Sequence, residues 1–346
     1  MSRQSVTKGL TTQQVLGLAT LAFLLAVPYV IPIVLDDYWV NITAELMIWS
    51  LFAASVNLLF GYTGLLSFGQ ALYFGMGAYG VAFGFEYFDM SFWPAFLTGI
   101  ALGTAFAMIA GVLAVRLTWH YFAIITVVFS LIFYFMAVGT KELTGGDDGM
   151  PLSIPPVLKV GNFELTLFNQ TFQYYFIMAI VGLGFYLMWR VLQSPMGRAF
   201  VAVRENDKKA MLIGLSPYKV RYVSFVLSGF LASLAGVLFC LFARYATAQY
   251  LFWTVSGEGV VWMIVGGAGT LFGPALGTAL LIVLREELSV YWEHYLLIVG
   301  AIVIIVVTFA PQGIMGLIND WIARRQLAKQ SFQQRSMVTR ERGNDD

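Results

Sequence analysis

Runs of roughly twenty apolar residues, separated by short polar links, recur along the whole chain and restrict what it can fold into. A helix of about 20 such residues, rising 1.5 Å per residue, spans the hydrocarbon core of a bilayer. Of 346 residues, 59% are hydrophobic and only 11% are charged, against about 25% charge in an ordinary soluble domain. Mean hydropathy is +0.77. The sequence therefore specifies an all-α polytopic membrane protein.

Hydropathy predicts about ten transmembrane segments, at 13–35, 42–60, 67–86, 92–115, 121–138, 172–190, 222–243, 256–267, 271–289 and 294–311. The first lacks a small-x-small cleavage site and reads as a retained anchor. The eighth is too short to cross unaided and is broken from the ninth by glycines, so it is expected to tilt or re-enter inside protein. Charge sets the orientation. With both termini cytoplasmic, 16 of the 20 lysines and arginines fall on the inner side, from Arg3 through the 191–221 loop to Arg342. The outer links DDYW (36–39) and EYFD (86–89) are acidic. Residues 1–318 are expected to form one membrane domain, with an internal loop at about 193–221. Residues 319–346 form a basic cytoplasmic tail, partly disordered.

The stretch GYTGLLSFGQALYFGMGAYG (61–80) holds six glycines, although each costs a helix about 1 kcal/mol relative to alanine. Ser67, Ala71 and Gly75 recur every four residues, which predicts a small-residue face admitting a neighbouring helix. Gly61 and Gly64 are expected to shape the turn before that span, and Gly69 to serve helix packing or a break. Gly266, Gly267, Gly269, Gly273 and Gly277 are expected to pack or break the eighth and ninth segments. FGQAL (68–72) and FGPAL (272–276) echo each other, which an internal repeat or convergent packing would explain. No G-x-x-x-x-G-K-[ST] occurs, so these glycines do not form a phosphate-cradling loop.

Polar residues inside apolar runs are functional candidates, because desolvating them is costly. Asn57, Ser67, Gln70 and Glu258 are the candidates for a translocation path. The structural alternatives are interhelical hydrogen bonds, worth about 0.6 kcal/mol each, and, for Glu258, bracing a broken helix or lying at the outer interface. Glu45 reads as interfacial. His120 and His294 have no metal-ligand spacing around them, and a single cysteine, Cys240, excludes an internal disulfide framework. Asp147 and Asp148 lack the alternating donors of a calcium loop and read as a turn. No catalytic constellation or metal site appears, so the chain does not read as an enzyme. In the internal loop, residues 199–212 are predicted to form one amphipathic helix, stopped by Gly214 and Pro217. It suits either a docking element or a basic linker at lipid headgroups.

Five blocks carry a resemblance: GYTGLLSFGQALYFGMGAYG, LTGGDDGM, SPMGRAFVAVRENDKKAMLIGLSPYKVRYVSFVLSGFLASLAGVLF, MIVGGAGTLFGPALGTAL and FAPQGIMGL. In this order, over residues 40–318, the chain resembles permease subunits of branched-chain amino-acid ABC importers of the high-affinity leucine/isoleucine/valine type. The resemblance implies inward transport of branched-chain or related amino acids by alternating access in a bacterial inner membrane. It implies two cytoplasmic ATPase subunits holding ATP and magnesium, a homologous permease forming a heterodimer, and an external solute-binding protein. It implies no cofactor in this chain and no nucleic acid. Arg204, Glu205, Asn206, Ala210 and Gly214 would lie on the ATPase-coupling loop, and Asp147 and Asp148 would touch the external protein. Asp207-Lys208-Lys209 departs from the family pattern, which puts individual contacts in doubt. Urea, short amides or carboxylates are alternative substrates within the same family. An ion-coupled secondary transporter using Glu258 is the alternative of a different class.

Overall fold

Nine of the ten predicted segments appear as helices in the computed structural model, which describes residues 25, 27–30, 36–117, 119–160, 163–309 and 312–318. The predicted first segment, for the most part, and the tail from residue 319 lie outside the described residues. The helices are α1 (Tyr38–Thr63), α2 (Gln70–Glu86), α3 (Phe92–Ala114), α4 (Trp119–Gly139), the short α5 (Lys141–Thr144) and α6 (Gln170–Gln193). They continue with α7 (Pro195–Glu205), α8 (Asp207–Leu212), α9 (Pro217–Ala243), α10 (Trp253–Gly266), α11 (Gly273–Tyr291) and α12 (Tyr295–Phe309). Among the described residues, α1, α3, α4, α6 and α9 are long and apolar enough to cross a membrane.

Burial sorts these helices into two layers. The most apolar window of α1 is 83% buried and that of α9 is 72% buried, against 22% for α4 and α6. Helix α2 is buried almost throughout. Helix α9 packs along α1, α2 and α3, so α1, α2 and α9 form the centre. The surrounding helices turn Leu97, Ile109, Ile124, Ile132 and Phe135 outward. A surface this apolar suits lipid contact.

Glycine lets the central helices approach backbone to backbone. A Cβ at Gly80 would stand 2.8 Å from the Cα of Gly99 on α3, and one at Gly236 on α9 would overlap the carbonyl of Phe74. The predicted small-residue face is shorter than the sequence suggested. Ser67 precedes α2, so only Ala71 and Gly75 share a helical face, and Gly75 meets Leu251.

The chain between α9 and α10 is not helical. Arg244 caps α9 with a positive φ of 56°. β4 (Tyr245–Ala246) and a 3-10 turn (Ala248–Leu251) follow. β4 pairs antiparallel with β1 (Met150–Pro151), and β2 (Leu158–Val160) pairs with β3 (Phe163–Leu165) in the same 139–171 loop. Leu251 then reaches the middle of the bundle, where its carbonyl accepts from Ser130 Oγ on α4. Helix α10 therefore starts at mid-depth, and its 14 residues cover one half of the bundle. This is the short eighth segment expected from the sequence, with an irregular first half sheltered by protein.

The internal loop differs from expectation. Residues 199–212 do not form one helix, because Asn206 adopts an extended backbone and its side chain accepts from Lys209 N at 3.0 Å. It caps α8 and so divides the loop into α7 and α8. Ser194 caps α7 in the same way, with Pro195 following at its first turn.

Candidate functional site

Two helix breaks meet at the basic end of the bundle. Helix α1 ends on Gly64 in the left-handed region, at φ 78°. Helix α10 ends on Gly267 at φ 123°, and Gly269 repeats the left-handed turn at φ 78°. Side chains disfavour these angles, which is why glycine stands at these turns. The breaks touch: a Cβ at Gly61 would stand 2.5 Å from Gly269 N.

Asn57 ties them together. Its Nδ2 donates to Thr270 O at 2.8 Å, and its Oδ1 accepts from Gly269 N at 2.8 Å. The side chain is fully buried. A buried amide with both ends satisfied fixes the linker between α10 and α11 to α1. Such bonds are interhelical, the structural alternative for Asn57 in the sequence.

The internal loop closes onto the same point through Arg204. Its Nη1 donates to Gly61 O, its Cγ lies 3.1 Å from a Cβ built on Gly64, and Nη1 lies 3.3 Å from one built on Gly269. Beside it, Arg221 Nη2 on α9 pairs with Asp207 Oδ2 on α8 at 2.6 Å. Arg204, Asp207, Arg221, Gly64 and Ala268 line a cleft of about 590 Å³ between the loop and the helix ends. The arrangement joins non-helical connections to helix ends. It brings no nucleophile and base together.

The remaining candidates fall in three places. Ser67 Oγ accepts from Gly69 N at 3.2 Å in the break before α2. Gln70, the first residue of α2, is fully buried, and its side-chain amide has no hydrogen-bond partner among the described residues. The next residue joins the start of α10, Ala71 N donating to Ser256 Oγ at 2.7 Å. Glu258 follows two residues later on α10, exposed on the surface of this chain, with Arg285 as its nearby counter-charge. Gln70 and Glu258 thus flank one contact, apart from the Asn57 junction. Asp147 and Asp148 are exposed on a 3-10 turn at the opposite end of the bundle, in the loop whose β1 holds β4. In the internal loop, Ala210 is buried, Asn206 is a cap and Gly214 supplies a left-handed turn at φ 84°. What projects is Glu205 and the apolar run Met211, Leu212 and Ile213, with Leu212 86% exposed.

Sequence reasoning missed an ionic cluster. Arg285 Nη2 on α11 lies 3.2 Å from Glu286 Oε1 and 3.6 Å from Glu45 Oε1 on α1. Tyr38 donates to Glu286 Oε2 at 2.6 Å, and Trp49 Nε1 donates to Glu45 at 3.0 Å. At 1.5 Å per residue, Arg285 stands about 18 Å along α11, level with the start of α1, where Tyr38 joins the cluster. Glu45 is therefore part of a network at that end of α1. The signal was present: REE (285–287) interrupts the ninth apolar run. At the far end a second cleft, of about 330 Å³, is lined by Asn41, Gln170, Gln173 and Arg244, whose guanidinium lies 4.3 Å above the Phe168 ring.

Comparison with known proteins bears on this geometry. A family model described as "Branched-chain amino acid transport system / permease component" matches residues 38–307. The chain is 27% identical over 326 residues to the high-affinity branched-chain amino acid transport system permease protein LivM of Escherichia coli K12, covering 89% of this chain and 76% of that one. It is 30% identical over 125 residues to the permease protein LivH of Salmonella typhimurium, covering 36% and 40%. It is 28% identical over 139 residues to the ribose import permease protein RbsC of Haemophilus influenzae, covering 38% and 43%. No solved structure matches.

Proposed function

The chain belongs to the branched-chain amino acid transport permease family, so it is an integral membrane permease and not an enzyme, and on that premise we propose that it imports branched-chain or related amino acids. It acts as one membrane subunit of an ABC importer in the bacterial inner membrane, with about ten spans and both termini cytoplasmic. A homologous permease completes the pathway, two cytoplasmic ATPases bind ATP and magnesium, and an external solute-binding protein delivers substrate. Residues 1–318 form the permease domain and 319–346 the cytoplasmic tail.

The observation that carries this reading is the seating of the internal loop on two helix breaks at once. An ATPase pair that closes on ATP needs a projecting element to push and a hinge to move. The exposed Met211–Leu212–Ile213 run, next to Lys208 and Lys209, is the projecting part. Ala210, Asn206 and Gly214 shape it from within. Glycines at positive φ supply the hinge. Asp147 and Asp148 face the external protein, and Glu258 and Gln70 line the route that opens when α10 moves against α2.

The test is purification of the tagged chain from native membranes, followed by reconstitution with what accompanies it. An ATPase and a second permease should copurify, and leucine uptake should need ATP and the external binding protein. Uptake that persists without ATP and collapses with the ion gradient would overturn the reading. Uptake of urea or short amides in place of leucine would move the substrate while leaving the machine intact.

A further inference from the structure

The loop that receives the ATPase and the hinge that must move are joined by one flexible side chain. We infer that Arg204 is a positioning residue that transmits movement of the internal loop to the α10–α11 linker, and not a residue that holds the ATPase. The inference rests on the importer reading above.

Three observations place it. Arg204 Nη1 donates to the carbonyl of Gly61, one turn before α1 ends. Its stem lies over Gly64, where only glycine leaves room at a positive φ. Its Nη1 also lies 3.3 Å from where a Cβ on Gly269 would stand, and the Gly269 N–H is held by Asn57. One guanidinium is therefore bonded to the first break and beside the second, while its backbone belongs to α7. The side chain is 42% exposed and its nearest carboxylate, Glu205, is 3.8 Å away, so no close ion pair turns it from the bundle. The charge points to carbonyl oxygens at a helix end, where a cation is favoured. By contrast, Leu212 and Ile213 make no such inward contact and are 86% and 73% exposed. The loop thus separates its two tasks: Met211, Leu212 and Ile213 face outward, and Arg204 faces the hinge.

Lysine offers a point charge without the planar fork, so Arg204→Lys keeps the charge but not both contacts. Losing a charge-assisted hydrogen bond shifts an equilibrium by about tenfold or more.

The experiment uses the complete reconstituted importer. In a Cys240→Ser background, single spin labels are placed at Lys208→Cys on α8 and Ala268→Cys in the linker, each paired with a reference label at Leu117→Cys; all three sites are exposed. Distances are measured with and without ATP. In the otherwise unaltered importer both the 208 and the 268 labels should move. With Arg204→Ala, ATPase copurification and the 208 movement should remain, the 268 movement should vanish, and leucine uptake should fall by about tenfold or more. Arg204→Lys should fall between. Leu212→Glu should instead lose the ATPase. The inference is overturned if Arg204→Ala releases the ATPase, or if the 268 label still moves in that variant. If Arg204→Ala fails to fold, Arg204→Lys decides alone, since a linker that then moves as before refutes transmission. Failure of the importer reading looks different: no ATPase accompanies even the unaltered chain.

Discussion

Helix α2 and the linker after α10 both carry glycines, yet those glycines answer to different neighbours. Those of α2, α3 and α9 lie within helices and meet other helices, as Gly80 meets Gly99 and Gly236 meets the Phe74 carbonyl. Those after α10, Gly267 and Gly269, lie outside helices at positive φ and are held by polar groups, Gly267 O accepting from Thr270 Oγ1 and Gly269 N–H donating to Asn57. The first kind removes volume so that rods stay locked. The second kind removes a conformational restriction so that a connection can turn.

This contrast can be broken at four positions. Gly236→Leu should do the most damage, because the side chain has a backbone carbonyl to displace: about 3 kcal/mol or more of destabilisation, seen as loss of a monodisperse peak in detergent gel filtration. A folded variant there would end the locked-rod reading. Asn57→Leu should cost about 2 kcal/mol by stranding Gly269 N–H and Thr270 C=O, read as a lowered Tm. An unchanged Tm would show that the linker is held otherwise. Gly269→Ala should cost about 1–2 kcal/mol through its left-handed backbone, with uptake falling further than stability because the new methyl crowds Arg204. Equal losses in both would mean that the linker is merely structural. The smallest change belongs to Gly214→Asn, where φ is 84° and the surroundings are open. Asparagine tolerates this region, so the Tm should move by about 0.5 kcal/mol equivalent or less.

Much of this architecture was legible in the sequence, because an apolar run has few options in a bilayer. The helix positions, the short eighth segment and the turn at Gly64 follow from hydropathy and glycine placement alone. What lies opposite each glycine did not follow, since Phe74 facing Gly236 is a fact of packing across 162 residues of chain. The single helix expected for residues 199–212 overlooked the cap written in N-D-K-K at 206–209, a local signal outweighed by the amphipathic pattern around it. The Arg285 cluster was hidden because its partners, Glu45 and Tyr38, lie about 240 positions away in sequence and meet REE only in the fold. At the candidate site, Asn57 and Arg204 were visible as residues. Their common target was not, because Gly61 and Gly269 are 208 positions apart and meet only in the fold.

The mid-depth start of α10 bears on how the chain is made. A translocating channel offers each emerging segment to lipid in turn, and a fourteen-residue helix that carries Glu258 behind an irregular stretch is too short to span on its own. The carbonyl of Leu251 has its donor on α4, and Ala71 at the start of α2 has its acceptor on Ser256. The start of α10 therefore takes its partners from α2 and α4, which emerge well before it. Biogenesis becomes an ordered process in which the early helices serve as the solvent for the late ones.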